Sequence, residues 1–266
     1  MLTYSNSQMD SSTHPLVSWV ICTHLVDDQV RRALQSCLDQ TYTNIEVVLV
    51  CNGPEAEQAA ESIIQWFDHD ERLRVFTTPI RYLTFSLSLG IHHAKGEFIA
   101  RMDADDISKP ERLSLQVAFL KKHPAVGVLG SAYEVIDESG AIISIKNVPT
   151  TDRAIRSKLV YSNPICHPSV MLRRSLVLQA GGYLGSIYAQ DYDLWSRLVR
   201  DHSVQFANLS EPLLQYRSKG VGTARKAKLA YAAVAAAQVR NFASDMGWNW
   251  LLATGRSIIS ARFRAK

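Results

Sequence analysis

The chain has 266 residues, of which 47% are apolar and 20% charged, with 13 Gly and 9 Pro. This composition excludes a disordered, collagen-like or mucin-like chain, and a chain of this length can bury a core without disulfide or metal staples. The net charge of +4 is uneven: Arg217 to Lys266 carry ten Lys/Arg against one acid, a net of +9, whereas the other 216 residues carry 19 against 24, a net of −5.

A mildly acidic body with a strongly basic tail implies a polyanionic surface as the tail's partner. The polar segment 1–15 has neither a cationic start nor an apolar stretch, so it reads as a flexible N-terminus and not a signal peptide. No apolar run reaches the length of a membrane span. The four cysteines, Cys22, Cys37, Cys51 and Cys166, form no CxxC pair. Cys22 and Cys51 end apolar runs, where a cysteine behaves as a small buried hydrophobe, so a reducing cytoplasmic compartment is expected.

In chain order, Leu16–Cys22 is a short apolar run of β-formers, as in a strand covered on both faces. Asp27–Gln40 sets Val30, Ala33, Leu34, Cys37 and Leu38 on one helical stripe. A second strand, Ile45–Cys51, ends at Asn52-Gly53-Pro54, and Pro54 opens a helix through Ala59, Ile63 and Phe67. A third strand over Leu73–Thr77, a helix over Leu83–His93 and a fourth strand over Glu97–Met102 complete a βαβ rhythm, which means a mostly parallel sheet flanked by helices. Ser108-Lys-Pro-Glu111 reads as a capping box with Pro110 in the first helical turn, and that helix runs to His123-Pro124. Val126–Ser131 and Ala141–Lys146 flank Asp137-Glu-Ser-Gly140 as a hairpin. Beyond Thr150 the pattern gives a helix over Asp152–Val160, a loop over Asn163–Pro168 and a helix over Tyr192–Arg200. The tail from Gly222 is Ala-rich and helical, with a break at Met246-Gly247.

Met102-Asp103-Ala104-Asp105-Asp106 is the strongest chemical signal. Three carboxylates in four residues repel one another and cannot all be buried unpaired. They follow an apolar strand directly, and so stand at its carboxyl end, the edge at which open α/β sheets bind ligands. Oxygen-rich sites suit Mg²⁺ or Mn²⁺, which use one or two carboxylates together with substrate phosphates. A solvated acidic loop is the alternative.

Val17–His24, Glu46–Gly53, Ala94–Asp106 and Gln190-Asp-Tyr-Asp-Leu-Trp195 together resemble the family 2 glycosyltransferases, and more narrowly the bacterial enzymes of surface-polysaccharide assembly. The resemblance spans Val17 to Tyr216. It implies a GT-A fold over residues 16–216, with a nucleotide-sugar half at 16–131 and an acceptor half at 132–216, followed by a basic helical extension at 217–266. It also implies a divalent cation, Mn²⁺ or Mg²⁺, a nucleoside diphosphate sugar as donor, and inversion at the sugar's anomeric carbon.

Carried onto this chain, the resemblance makes Cys22, Thr23, His24, Asn52, Asp103 and Ala104 donor-binding residues. His24 stands where an aromatic stacks on the nucleobase. Asn52 replaces an aspartate and can still accept the base's proton through its carbonyl oxygen, without charge. Asp105 and Asp103 are the implied metal residues, with Asp106 serving either the metal or local hydrogen bonding. His167, between turn residues in a segment that also resembles the subfamily, is a third metal residue or else reaches the diphosphate or the acceptor, and a structural histidine is the alternative. Asp191 matches the general base. Gln190 stands beside it where an acid is common, and Asp191 as a plain helix N-cap is the alternative. Gly182, Tyr183 and Trp195 line the acceptor side. Arg81 and Lys95 are cations available to the diphosphate, with a plain surface cation as the alternative for each.

The basic tail contains Trp248-Asn-Trp250-Leu-Leu and ends in Arg262, Arg264 and Lys266. Such helices suit anionic lipid interfaces. A peripheral position at the inner face of the cell membrane would bring the enzyme to a lipid-linked or glycan acceptor. Packing of Trp248 and Leu251 on the catalytic body is the alternative. No nucleic-acid motif accompanies the charge. Two further function classes remain at this point, a Mg-dependent nucleotidyltransferase and a non-catalytic binding module on the same scaffold.

Overall fold

The computed structural model describes residues 14–184, 187–218 and 224–263. Most of the expected flexible segment 1–15 therefore lies outside the described residues. Nine strands share one sheet, in the order β3-β2-β1-β4-β8-β6-β9-β5, with β7 paired to β6. The first half carries β1 (Val17–Thr23), α1 (Asp28–Leu38), β2 (Ile45–Asn52), α2 (Ala56–Trp66), β3 (Leu73–Thr78), α3 (Leu83–His93) and β4 (Phe98–Arg101). These strands are parallel to one another, as the alternating pattern requires. Alternation along β1 sends Val17, Trp19 and Ile21 into one core with α1 and α2, and Val20 into a second core with α3, so helices cover both faces.

The strand order reverses at β1, with β2 on one side and β4 on the other. A crevice opens outside the carboxyl ends at such a switch point. Register decides which residues reach it. Thr23 is level with Cys51 and Asn52 with Thr78, while β4 ends with Arg101 beside Val20, so the chain continues through Met102 to Asp103 at the level of Cys22. Lys95 belongs to the opposite edge. Its backbone N–H donates 2.6 Å to buried Glu46, which also receives Ser18 Oγ and Arg74. It therefore lies away from the crevice, as an exposed surface cation.

The second half adds β5 (Ile107–Ser108), α4 (Arg112–Lys122), β6 (Val126–Ile136), β7 (Ile142–Lys146), α5 (Asp152–Leu159), β8 (Met171–Arg173), α6 (Arg174–Gln179), α7 (Gln190–Leu198), β9 (Gln205–Arg217), α8 (Ala224–Ala243) and α9 (Trp248–Phe263). The hairpin β6–β7 forms as expected. The capping box does not. Ser108 lies in β5, paired with Leu214 of β9, and the cap of α4 is Glu111 without a side-chain bond, so Pro110 precedes the helix. Helix α2 likewise begins after Pro54, at Ala56, and α7 begins two residues before the expected Tyr192.

Strand β9, absent from the sequence reading, runs thirteen residues beside β6 and absorbs Pro212 at a register shift. It ends in Arg217, which the sequence assigned to the tail. The tail forms two helices separated at Asp245–Gly247, where Asp245 (φ +59°) and Gly247 (φ +96°) are left-handed. Trp250 is buried in the body's second core, whereas Trp248 is 72% exposed and rests on Phe242, so Trp248 does not pack on the catalytic body.

One fully buried cation joins the halves. The Arg112 guanidinium donates to the carbonyls of Arg101 (2.8 Å), Pro168 (3.0 Å) and Val170 (3.2 Å) and to Gln116 Oε1 (3.1 Å), and lies over the Trp19 ring. Burial lowers its pKa to about 10, which leaves it charged at neutral pH. Arg112→Met would leave these acceptors without a donor, at about 1–3 kcal/mol for each buried group. We therefore expect a loss of roughly 3 kcal/mol or more in urea unfolding, only partly restored by Arg112→Lys, which lacks the planar fork. An unchanged midpoint would show that the clamp carries no weight.

Candidate active site

A cavity of about 470 Å³ opens at the switch point. Its lining brings together Cys22, Thr23, His24, Asn52, Asp103, Ala104 and Asp105, the residues expected to hold the donor and metal, and adds Arg81. The start of α1 supplies another wall. Asp27 caps that helix by accepting from the N–H groups of Gln29 and Val30 at 3.0 Å, and all three residues face the cavity. Sequence reasoning missed these, and also Leu83 at the start of α3 and Ile187 and Tyr188 ahead of α7. Burial pushes the Cys22 thiol up to about 12, so it stays neutral.

Asn52 has a determined orientation. Ser86 Oγ donates its single hydrogen to the Tyr82 carbonyl (3.0 Å) and accepts from Asn52 Nδ2 (3.0 Å). The amide nitrogen is thereby occupied, and the carbonyl oxygen is the atom left to accept from a ligand.

The acidic loop is held by cations that its spacing did not announce. Arg101, 2% exposed, donates 2.5 Å to Asp103 Oδ1, and its Nε and second terminal nitrogen have no partner among the described residues. Burial works against its charge, but Asp103 outweighs that, and the Arg101 pKa is raised. Arg217 donates through its backbone N–H to Asp106 Oδ1 (2.8 Å) and through Nε to the Asp105 carbonyl (3.0 Å), and it also grips the carbonyls of Asp137 and Glu138. Asp106 is 1% exposed, and burial together with Asp103 holds its carboxyl well above the usual range. Of the two roles open to it, local hydrogen bonding is the one observed. Asp103 and Asp105 remain half-buried on the cavity wall as oxygen donors.

Asp191 lies at the second position of α7, behind left-handed Ala189 (φ +56°), so Ala189 and not Asp191 is the N-cap. The Asp191 carboxylate accepts from Asn163 Nδ2 at 2.6 Å and from backbone N–H groups of the first turn. Burial nevertheless raises its pKa, while Arg101 acts in the opposite direction. Asp191 lines a second cavity of about 420 Å³, and the segment that lines it with Ala189 and Asp191 lines the first with Ile187 and Tyr188.

His167, Tyr183 and Trp195 form a buried support behind these walls. His167 Nε2 bonds the Tyr183 hydroxyl at 2.6 Å and its ring meets Trp195 edge-on at 6.1 Å. Trp195 is fully buried and Tyr183 4% exposed, which corrects the expectation that they contact an acceptor. Gly182 (φ +72°) gives its carbonyl to Arg197, and its own position is tight, since a Cβ would meet Ser88 Oγ at 3.3 Å. His167 is not gathered with Asp103 and Asp105. Among the described residues no group of three or more His, Cys, Asp or Glu forms a metal cluster.

Comparison with known proteins fits this architecture. The family model described as glycosyl transferase family 2 matches residues 18–181. An Escherichia coli protein named O-antigen biosynthesis glycosyltransferase WbnJ is 31% identical over 228 residues, covering 85% of this chain and 89% of its own. The amylovoran biosynthesis glycosyltransferase AmsE of Erwinia amylovora is 31% identical over 195 residues, covering 72% and 71%. Among solved structures, the Pyrobaculum calidifontis mannosyltransferase PcManGT, in complex with GDP-Man and Mn2+, superposes with a TM-score of 0.64 at 16% identity, covering 96% of this chain and 75% of that one. S. aureus TarS 1-349, in complex with UDP-GlcNAc, gives 0.64 at 17% identity, covering 84% and 66%. At such identities the likeness carries the fold alone, and it is the GT-A fold expected from the sequence.

Burial, reinforced by Arg101, drives the His167 pKa well below its ordinary 6.5. The unfolded chain therefore takes up a proton near 6.5 that the folded one refuses, and stability should fall as pH drops below that value. One such proton is worth at most about 1.4 kcal/mol per pH unit. Urea midpoints at pH 7, 6 and 5 should show this slope in the wild type and a flatter one in His167→Gln. Parallel profiles would remove His167 as its source.

Proposed function

The chain belongs to glycosyl transferase family 2, and from that membership we propose that it moves a sugar from a nucleoside diphosphate sugar to a hydroxyl of a growing surface glycan or its lipid-linked precursor, inverting the anomeric carbon. The observation that carries this reading is that neighbouring residues of one segment line both cavities, Ile187 and Tyr188 the one with the acidic loop and Ala189 and Asp191 the other. The names of the O-antigen and amylovoran relatives support the glycan class.

In this reading the first cavity holds the donor. Asn52 presents a neutral acceptor to a base with a ring N–H, and Arg81 lies within the same wall, where its cation can meet the diphosphate. The donor set fits a hard divalent cation: Mg²⁺ takes one or two carboxylates and fills its remaining positions from phosphates and water, so Asp105 and Asp103 would suffice without a third side chain. The bound cation would supply charge neutralisation on the departing diphosphate.

Asp191 takes the proton of the acceptor hydroxyl as that oxygen attacks the anomeric carbon from the side away from the diphosphate. The new carbon–oxygen bond forms, the bond to the diphosphate breaks, and its electron pair leaves on the phosphate oxygen. A carboxylate whose pKa burial raises is the stronger base, and Asn163 and the first-turn amides aim it.

Asp105→Ala should abolish Mn²⁺-dependent transfer. Asp191→Asn should keep nucleotide-sugar binding while turnover falls by about 10²–10⁴-fold. The acid limb of wild-type kcat/KM should lie above the ordinary carboxylate value of 3.8, because Asp191 must be ionised to act. Normal turnover in Asp191→Asn, or release of pyrophosphate instead of a nucleoside diphosphate, would refute the assignment.

The tail meets an anionic membrane surface in this reading. Among the described residues no helix is long and apolar enough to cross a membrane. Helix α9 is inverted, however. Its inner face is Trp250, Ala253, Thr254 and Ser257, while Trp248, Leu252 (68% exposed), Ile258 and Ile259 point outward. With a basic tail around it, that face suits an anionic bilayer. Wild-type protein should sediment with phosphatidylglycerol vesicles and not with phosphatidylcholine ones, and Leu252→Asp/Ile259→Asp should lose that binding at least about tenfold. If the double variant instead halves the mass in solution and leaves vesicle binding unchanged, the face is a contact between copies.

A further inference from the structure

The second cavity carries chemistry that the general base alone does not explain. Asn163 and Asp191 stand on one side of it, α8 contributes Tyr231, and α9 contributes Arg256, Ser257 and Ser260. Asp191 and Arg256 are its two charged lining residues, and hydroxyl groups supply most of its remaining polarity. At about 420 Å³ it falls within the range of small-molecule sites. The C-terminal helices that close it are fastened to the helix bearing the base. Arg240 pairs with Asp193, Gln238 donates 2.9 Å to the Val160 carbonyl and 3.3 Å to the Tyr192 hydroxyl, and Arg200 donates 2.7 Å to Asn241. The cavity is thus preformed, and α8 and α9 are walls of it.

We infer that this cavity seats the acceptor, and that Arg256 makes it selective for an acceptor carrying an oxyanion, a phosphate or a carboxylate, near the attacking hydroxyl. The inference rests on the reading of Asp191 as the base. Serine and tyrosine hydroxyls and aromatic rings suffice for a neutral sugar, so a cation in such a wall is superfluous for one. Among the described residues Arg256 has no carboxylate partner, since Asp191 is engaged by Asn163 and backbone amides. An acceptor anion close to Asp191 would meet a like charge, and a guanidinium across the cavity offsets that repulsion while binding the anion through two parallel donors.

The position of Arg256 along α9 agrees with this. It lies one helical turn from outward-facing Leu252 and next to Ser257, at the boundary between the cavity face and the apolar face. An anion bound there would sit where an acceptor leaves the cavity.

The test uses full-length protein with the first cavity saturated by nucleoside diphosphate and Mn²⁺. Glucose 1-phosphate, glucuronate and methyl glucoside are titrated separately by ligand-observed NMR. The anions should bind at least about tenfold more tightly than methyl glucoside. Arg256→Gln should erase that preference, Arg256→Lys should keep part of it, and Arg256→Glu should reverse it. Stronger glucose 1-phosphate binding assigns a phosphate source, and stronger glucuronate binding a carboxylate source. Equal affinity for the neutral glucoside in the wild type, or an undiminished anion preference in Arg256→Gln at an unchanged melting temperature, overturns the inference. Failure of every nucleoside diphosphate sugar to stabilise the wild-type protein would overturn the donor reading itself, whatever Arg256 does.

Discussion

Asp103, Asp105 and Asp106 stand at one sheet edge on a base of arginines that hold the loop through one carboxylate pair, one backbone amide and several backbone carbonyls. Arg101 neutralises Asp103 from the buried side, Arg217 ties down Asp106 and the Asp105 backbone, and Arg112 fixes the end of β4 from which the loop departs. Asp106 is thereby kept buried, and Asp103 and Asp105 are left on the cavity wall. An isolated ion pair on a surface contributes little. Arg112 and Arg217, with most of their donors committed to backbone carbonyls, act differently, since removing either strands several acceptors at once.

Two of these arginines, Arg112 and Arg217, also tie distant parts of the sheet together. Arg112 reaches the carbonyls of Pro168 and Val170, beside the His167 turn, and His167 leads through Tyr183 to the segment before α7. Arg217 closes β9 against the acidic loop and against the turn between β6 and β7. The walls of both cavities are therefore built on shared supports, and the segment 187–191 lines one cavity with Ile187 and Tyr188 and the other with Ala189 and Asp191.

Much of the first half was legible because its physics is local. Alternating apolar strands and striped helices fix a parallel sheet, and the carboxyl ends of β1, β2 and β4 then bring Cys22, Asn52 and Asp103 together without any long-range information. What stayed hidden depends on partners remote in sequence. Strand β9 carries Ser-Glu-Pro at its centre, which reads as a break, and only pairing with β6 reveals it as a strand with a bulge. Ser108 satisfies the capping pattern, yet its backbone is claimed by β9. Arg101 and Arg217 look like ordinary cations in a list of residues, because burial and not identity makes them supports. The resemblance puts Tyr183 and Trp195 on the acceptor side, yet both are buried, so nearness along the chain to Asp191 does not bring a side chain to a cavity wall.

The hydrogen on Ser86 has a reach beyond its own bond. It is committed to the Tyr82 carbonyl, so the Asn52 amide has one orientation in which both residues are satisfied. The polarity that the wall shows to whatever enters is consequently written by a rotor that no ligand touches. Two chains with the same asparagine at this position can thus present opposite faces of the amide, and the difference would be invisible to any tally of lining residues.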